Sequence, residues 1–238
     1  MSDIAGNISK IQQRITKAAS RCNRTADSIQ LLAVSKTKPT ALIREAITAG
    51  ILDFGENYLQ DAITKITDLE DQPGIRWHFI GPLQSNKTRA VAEHFSWVHT
   101  VDRLKIAERL NQQRPENLTP LNICLQVNLD SEDSKSGVPP DELPTLAKAV
   151  AKLPNLHLRG LMAIPRKRSD QQAQRACFQR LNDLKNKLEQ MPGITLDTLS
   201  MGMSSDLEAA IAAGSTMVRV GTDIFGPRHE SNSHKATP

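Results

Sequence analysis

Aromatic residues are scarce in this sequence. They make up 3% of its 238 residues, with one tyrosine, two tryptophans and five phenylalanines. A nucleic-acid surface that interleaves aromatics with a basic stripe has little to be built from, and Leu, Ile, Val, Ala and Met must fill the interior. Cysteine is also sparse. Cys22, Cys124 and Cys177 are odd in number, widely spaced and form no C-x-x-C, which argues against a disulfide framework and against a zinc site. Cys124 lies inside an apolar run and reads as core. No apolar stretch approaches the length that spans a bilayer, and the opening MSDIAGNISKIQQRI lacks the apolar segment of a secretory signal. Neither sign of charge dominates: 30 Lys and Arg against 26 Asp and Glu leave +4 spread along the chain. The densest basic run, Arg166-Lys167-Arg168, reads as a solvated loop. A reducing cytoplasm fits best, with no membrane and no nucleic-acid partner expected.

What the sequence does have is alternation. Residues 3 to 20 read as an amphipathic helix with Ile4, Ile8, Ile11 and Ile15 on one stripe. Eight short apolar runs follow: Leu31–Ser35, Ile51–Phe54, Trp77–Ile80, Trp97–Val101, Leu121–Leu129, Leu158–Ile164, Thr198–Met201 and Met217–Val220. Helical periodicity lies between them, as in Thr40–Ala49, Asn57–Leu69, Leu104–Gln113, Asp141–Lys152 and Gln171–Gln190. Strand and helix in turn imply a parallel sheet covered by helices. Eight repeats in so short a chain favour closure, so the fold expected is a single α/β (β/α)8 TIM barrel with an extra N-terminal helix. Glu45 to Gly50 and Glu208 to Gly214 echo each other as helix endings, each with Gly where a left-handed cap belongs. Residues 1–228 are expected to form one domain, and the polar residues 229–238 a frayed tail.

In such a barrel, chemistry belongs to the C-terminal ends of the strands. The first strand runs directly into Lys36. A lysine at an apolar mouth is partly desolvated, which disfavours its charged form, and a neutral amine can form an imine with an aldehyde. A solvated lysine is the plain alternative. Lys38 competes, but lies one step from the next helix and is expected to be solvated. After the seventh strand comes Ser200-Met-Gly-Met-Ser-Ser-Asp-Leu-Glu208, where Ser205 and Glu208 read as a capping box. Its free N–H groups, with Ser200 and Ser204, would suit an anion. After the eighth strand, Gly221 allows close backbone approach and Thr222 supplies a hydroxyl. Phosphate commonly sits at these two loops of a barrel. Arg219 interrupts an apolar strand, so it needs buried acceptors: a carboxylate such as Glu56 or Asp223, or the ring nitrogen of a cofactor. Asn57 and His78 stand near other strand ends, His78 reading as packed core. The loop Asp130 to Gly137 reads as a lid or as plain surface.

LLAVSKTKP, FGENYLQDA, WHFIGPLQSNK, SKSG, RGLMAIP, SMGMSSDLEAAIAAGS and MVRVGTDIFG, in that order from about residue 3 to 228, resemble the pyridoxal phosphate homeostasis family (YggS/PROSC-like). The resemblance implies a fold similar to the barrel domain of alanine racemase, the third fold type of pyridoxal 5'-phosphate (PLP) proteins. It implies PLP held as a Schiff base on Lys36, phosphate contacts from Ser200, Ser204, Gly221 and Thr222, Arg219 near the pyridine nitrogen, and a further contact from Asn57. It implies no metal, no catalytic residue and no known activity, but a role in vitamin B6 and amino-acid balance. On that reading the chain is a PLP carrier or buffer, a monomer that could serve apo PLP-dependent enzymes. Lys38 and Lys135 are candidates for transient aldehyde capture. A weak amino-acid racemase using Tyr58 or His78 is the enzymatic alternative, and a class I aldolase, with Lys36 forming an imine to a sugar carbonyl, is a third.

Overall fold

Each strand pairs in parallel with the next in sequence, and the last returns to the first. In the computed structural model, which describes residues 3–130 and 136–227, the strands are β1 (Gln30–Val34), β2 (Asp53–Glu56), β3 (Arg76–Phe79), β4 (Trp97–Val101), β5 (Leu121–Gln126), β6 (Leu156–Met162), β7 (Thr198–Ser200) and β8 (Met217–Val220). Around them lie α2 (Thr40–Thr48), α3 (Leu59–Asp68), α4 (Thr88–His94), α5 (Leu104–Gln113), α6 (Leu143–Val150), α7 (Gln171–Glu189), α8 (Leu207–Ala212) and α9 (Thr222–Phe225). The extra helix α1 (Ile4–Ser20) is capped by Asp3, whose Oδ1 accepts the Gly6 N–H at 2.8 Å. It buries the expected stripe of Ile4, Ile8, Ile11 and Ile15 and packs across α2, α8 and α9, each isoleucine contributing about 1.5–3 kcal/mol.

The two-residue alternation of a strand sorts side chains between the lumen and the helices. Phe54, Phe79, Val98, Leu125, Leu161 and Val218 face outward into the main core. Inside, Leu32 of β1, Met217 of β8 and Ile80 just past β3 meet across the barrel. Trp97, Cys124 and Met162 form a second lumen cluster. The rest of the lumen is polar: Asp53, His78, His99, Ser200 and Arg219 are all buried.

Several boundaries differ from the pattern reading. β2 starts at Asp53, not Ile51, because the Ile51 N–H is spent closing α2 on the Ala46 carbonyl (3.0 Å). That closure turns on Gly50 at φ 90°, and Gly214 at φ 99° ends α8 in the same way, with the Ser215 N–H on the Ala210 carbonyl. The echo between the two helix ends is one Schellman motif used twice. β5 stops at Gln126, since the chain beyond it turns to pair with Val138. β6 begins at Leu156 and ends at Met162, two residues ahead of expectation. The capping box does not form. The residue before α8 is Asp206, whose Oδ1 takes the Met203 N–H (2.6 Å), while Glu208 is drawn to Arg14 of α1 (2.8 Å).

The Arg166–Arg168 run is a surface loop as read, with Arg166 and Lys167 exposed and Arg168 paired to Asp130. Lys135 and residues 229–238 lie outside the described residues.

Candidate functional site

The turn after β1 is fixed from behind. The Ser35 N–H extends the ladder to the Gly55 carbonyl (3.0 Å), and the Lys38 N–H closes the turn on the Ser35 carbonyl (3.0 Å). Thr37 takes a left-handed φ of 62°, and its N–H reaches Asp61 Oδ2 (3.3 Å). Below the turn, Lys65 of α3 donates to the Ser35 carbonyl (2.9 Å), Glu56 Oε1 (2.9 Å) and Asp61 Oδ2 (2.7 Å), and Ser35 Oγ donates to Glu56 Oε1 (2.6 Å). Burial pushes the Glu56 carboxyl above its ordinary range, with Lys65 and Ser35 opposing the shift. Lys36 is partly buried two residues past β1, where extending the alternation of Leu32 and Val34 would carry it to the lumen side of the mouth.

Lys38 is not solvated as expected. It is 7% exposed, a burial that lowers its pKa, and its Nζ holds the Gly226 carbonyl (3.0 Å) and the Pro227 carbonyl (2.6 Å). Its amine clasps the chain that follows α9.

Across the ladder from β1, Arg219 stands in the lumen. Its guanidinium donates to the Ser200 hydroxyl (2.8 Å), the Ser200 carbonyl and the Ala163 carbonyl (3.0 Å). Neither expected carboxylate meets it: Glu56 is paired with Lys65, and Asp223 with Arg14. Burial lowers its pKa to about 10, so it stays charged at neutral pH. The Ser200 hydroxyl is sealed between Arg219 and His99 Nδ1 (2.8 Å), beneath the loops rather than on them.

The loops after β7 and β8 lie side by side because their strands pair at Ser200 and Met217. Among the described residues, the backbone N–H groups of Ser204, Ser205, Gly221 and Thr222 donate to no protein acceptor. Gly221 packs against β1 so tightly that a Cβ there would stand 3.2 Å from the Val34 carbonyl oxygen. Arg14 binds both loops from outside, holding Glu208 in a fork (2.8 and 3.0 Å), the Ser204 carbonyl (2.8 Å) and Asp223 (3.0 Å). Asn57, one residue past β2, has a buried Oδ1 with no hydrogen-bond donor. It lines a cleft of about 290 Å³ over the mouth with Ile80, Thr100, Gln126 and Asn128.

Lys36, Asn57, Ser200, Ser204, Arg219, Gly221 and Thr222 thus belong to strands, or to the turns after them, that neighbour one another in ladder order, β7–β8–β1–β2. An amine after β1, an arginine with no hydrogen-bonded carboxylate and two loops with spare N–H donors suit an anionic ligand that carries an electrophile. The description "Alanine racemase, N-terminal domain" fits residues 6–229. The pyridoxal phosphate homeostasis protein of Pseudomonas aeruginosa is 60% identical over 228 residues, covering 96% of this chain and 97% of the relative. The chain belongs to the pyridoxal phosphate homeostasis family. Another protein of that name, from Escherichia coli, is 54% identical over 237 residues, covering 97% and 99%. The structure of PipY from Synechococcus elongatus with PLP bound has a TM-score of 0.84 and 39% identity over 94% of this chain and all of that one. The fold of this family member is the barrel of alanine racemase, the third PLP fold type. Among its described residues, no helix is long and apolar enough to cross a membrane.

Sequence reasoning missed four residues that pack around the candidate site: Arg14, Asp53, Lys65 and His99. Only Asp53 left a signal, as an acid inside the apolar run Ile51–Phe54. Lys65 with Asp61 reads as an ordinary surface i, i+4 pair, and His99 as a polar residue in a short strand.

Proposed function

We propose that this chain binds PLP covalently through Lys36 and serves as a reversible carrier in intracellular PLP balance, without turnover. The observation that carries the reading is Arg219, a fully buried cation whose hydrogen-bond acceptors are all neutral, on the strand that pairs with β1, which leads into Lys36. The donor set fits the cofactor. Ser204, Gly221 and Thr222 would hold the phosphate through N–H and hydroxyl groups, Arg219 would donate to the pyridine nitrogen with Ser200 behind it, and the bare Asn57 Oδ1 would accept a donor at the mouth. PLP supplies an aldehyde for the amine and an electron sink for amino-acid chemistry.

A guanidinium donates a hydrogen bond to a ring nitrogen without protonating it, so the sink stays weak. Two-base chemistry also needs a second acid or base within reach. His78 cannot serve, since it is fully buried with both nitrogens engaged. Tyr58, 54% exposed at the end of β2, is the group a racemase reading would need.

Residues 1–228 would act as one PLP-binding unit, as a monomer in the cytoplasm, with apo PLP enzymes as recipients. The test is transfer. The PLP-loaded protein, mixed with an apo PLP enzyme, should activate it faster than an equal amount of free PLP, and no advantage would overturn donation. Exchange of the α-proton of single amino-acid enantiomers in deuterated water at an enzymatic rate would overturn the absence of turnover.

Arg14 provides a second check. The Arg14→Met variant keeps the apolar stem but frees both phosphate-side loops. Its ion pairs are about one-third exposed, so the stability cost should be only about 1 kcal/mol. PLP affinity should fall about tenfold, equal to about 1.4 kcal/mol. Fluorescence titration and urea unfolding measure the two effects separately.

A further inference from the structure

The lumen holds an unbroken hydrogen-bonded chain that the binding reading does not use. At the floor, Arg76 donates from Nε to Asp53 Oδ1 (2.6 Å). Asp53 Oδ1 meets His78 Nε2 (3.0 Å), His78 Nδ1 meets His99 Nε2 (3.0 Å), His99 Nδ1 meets Ser200 Oγ (2.8 Å), and Ser200 Oγ meets Arg219 Nη1 (2.8 Å). The links come from β2, β3, β4, β7 and β8, so the chain crosses the barrel interior. Trp97 stacks on His78 at 5.4 Å and 10°, fixing the plane of that ring.

We propose that His78 and His99 are positioning residues: with Ser200 they form a one-way relay from Asp53 that holds the Arg219 guanidinium in place for the cofactor ring. This rests on the reading of Arg219 as a PLP contact.

The direction follows from counting protons. A guanidinium only donates, so Ser200 Oγ accepts from Arg219. The single hydroxyl proton of Ser200 then goes to its other neighbour, His99 Nδ1. That nitrogen is bare, so the His99 proton is on Nε2 and is donated to His78 Nδ1. His78 likewise carries its proton on Nε2 and donates it to Asp53. Starting from the other end gives the same answer. Burial alone would raise the Asp53 carboxyl, but hydrogen bonds from His78 and Arg76 outweigh it and hold Asp53 ionised, able only to accept. Both rings are neutral, in keeping with burial that lowers the pKa of each.

Every O–H and N–H in the relay points away from Arg219 and toward Asp53. Lone pairs therefore face the cation and protons face the anion, and aligned links of this kind strengthen one another. Reversal would set a bare His78 nitrogen against the Asp53 carboxylate. A second proton on His99 would strand the Ser200 hydroxyl proton between two donors. One arrangement satisfies every group.

Nitrogen-15 NMR of the histidine side chains in the PLP-free protein reads the tautomers directly. Both rings should carry the proton on Nε2 and remain neutral through the neutral pH range. A proton on Nδ1 of either ring, or titration near the ordinary histidine value, overturns the proposal. The second readout is the PLP-loaded protein. His99→Leu breaks the relay, and should shift the visible absorption band and weaken PLP affinity about tenfold. His99→Gln can accept from Ser200 and donate to His78, and should restore both. A His99→Leu protein with parental spectrum and affinity, or a His99→Gln protein as impaired as His99→Leu, refutes the relay. If His99→Leu does not fold, the tautomers and His99→Gln still decide. A parental protein that takes up no PLP through Lys36 would sink the binding reading instead, leaving the NMR result to judge the relay.

Discussion

Lys36→Ala is expected to abolish the visible absorption that PLP acquires on the parental protein and to weaken PLP binding by about 100-fold, equal to about 2.7 kcal/mol. Borohydride reduction of the loaded parent, followed by peptide mapping, should leave the pyridoxyl group on the peptide containing residue 36, with no equivalent label in the variant. The effect should be large because the other amines near the turn are committed. Lys38 Nζ holds two backbone carbonyls, and Lys65 Nζ holds two carboxylates and the Ser35 carbonyl. Neither can replace Lys36 without giving up buried hydrogen bonds. Residual, colourless binding should persist, because the loop N–H groups and Arg219 do not depend on residue 36. The Lys36→Ala fold should hold, since the cluster that fixes the turn uses the backbone and hydroxyl of Ser35; urea unfolding should shift by about 1 kcal/mol or less. Label retained in the variant, or moved to Lys38, would refute the assignment.

The fold was legible because alternation is local. Eight apolar runs at strand length with helical stretches between them leave few topologies, and the position of Lys36, of the last two loops and of Arg219 follows from knowing which end of a barrel strand is the mouth. Errors arose where a local pattern was claimed by a distant residue. Ser205 and Glu208 have capping-box spacing, yet Glu208 answers to Arg14 in a helix almost the whole chain away. Lys38 sits next to a helix start and reads as solvated, yet it binds carbonyls past α9. The polar relay was illegible for the same reason. His78 does read as packed core, which is what burial shows, but its partners Asp53 and His99 belong to other strands. Only closure of the barrel brings them together. Period-two alternation can say that Asp53, His78, His99, Ser200 and Arg219 face inward; it cannot say that they touch.

The second large effect concerns the ionic cluster beneath the turn. Lys65→Met is expected to lower the unfolding free energy by about 3–5 kcal/mol at neutral pH. The Lys65 and Glu56 side chains are 4% and 0% exposed, so methionine keeps most of the packing volume and removes the charge that makes the Glu56 carboxylate tolerable. Glu56 Oε1 would keep only the Ser35 hydroxyl, the Ser35 carbonyl would lose its side-chain donor, and Oε2 already has no partner. The sign with pH follows from the direction of the Glu56 shift. Its folded-state pKa lies above the ordinary carboxylate value because burial outweighs Lys65 and Ser35. A carboxyl shifted upward is no burden while protonated in both states, and it costs stability as pH rises from the unfolded value through the folded one. Removing Lys65 deletes the main opposing influence and widens that interval. The gap between variant and parent should therefore be smallest near about pH 5 and grow toward about pH 8. Adding Glu56→Gln to Lys65→Met should recover about 2 kcal/mol, because the two side chains act as a unit. Urea unfolding at both pH values checks each step. A Lys65→Met protein within about 1 kcal/mol of the parent at both pH values would mean that the turn carrying Lys36 is held by the strand ladder alone.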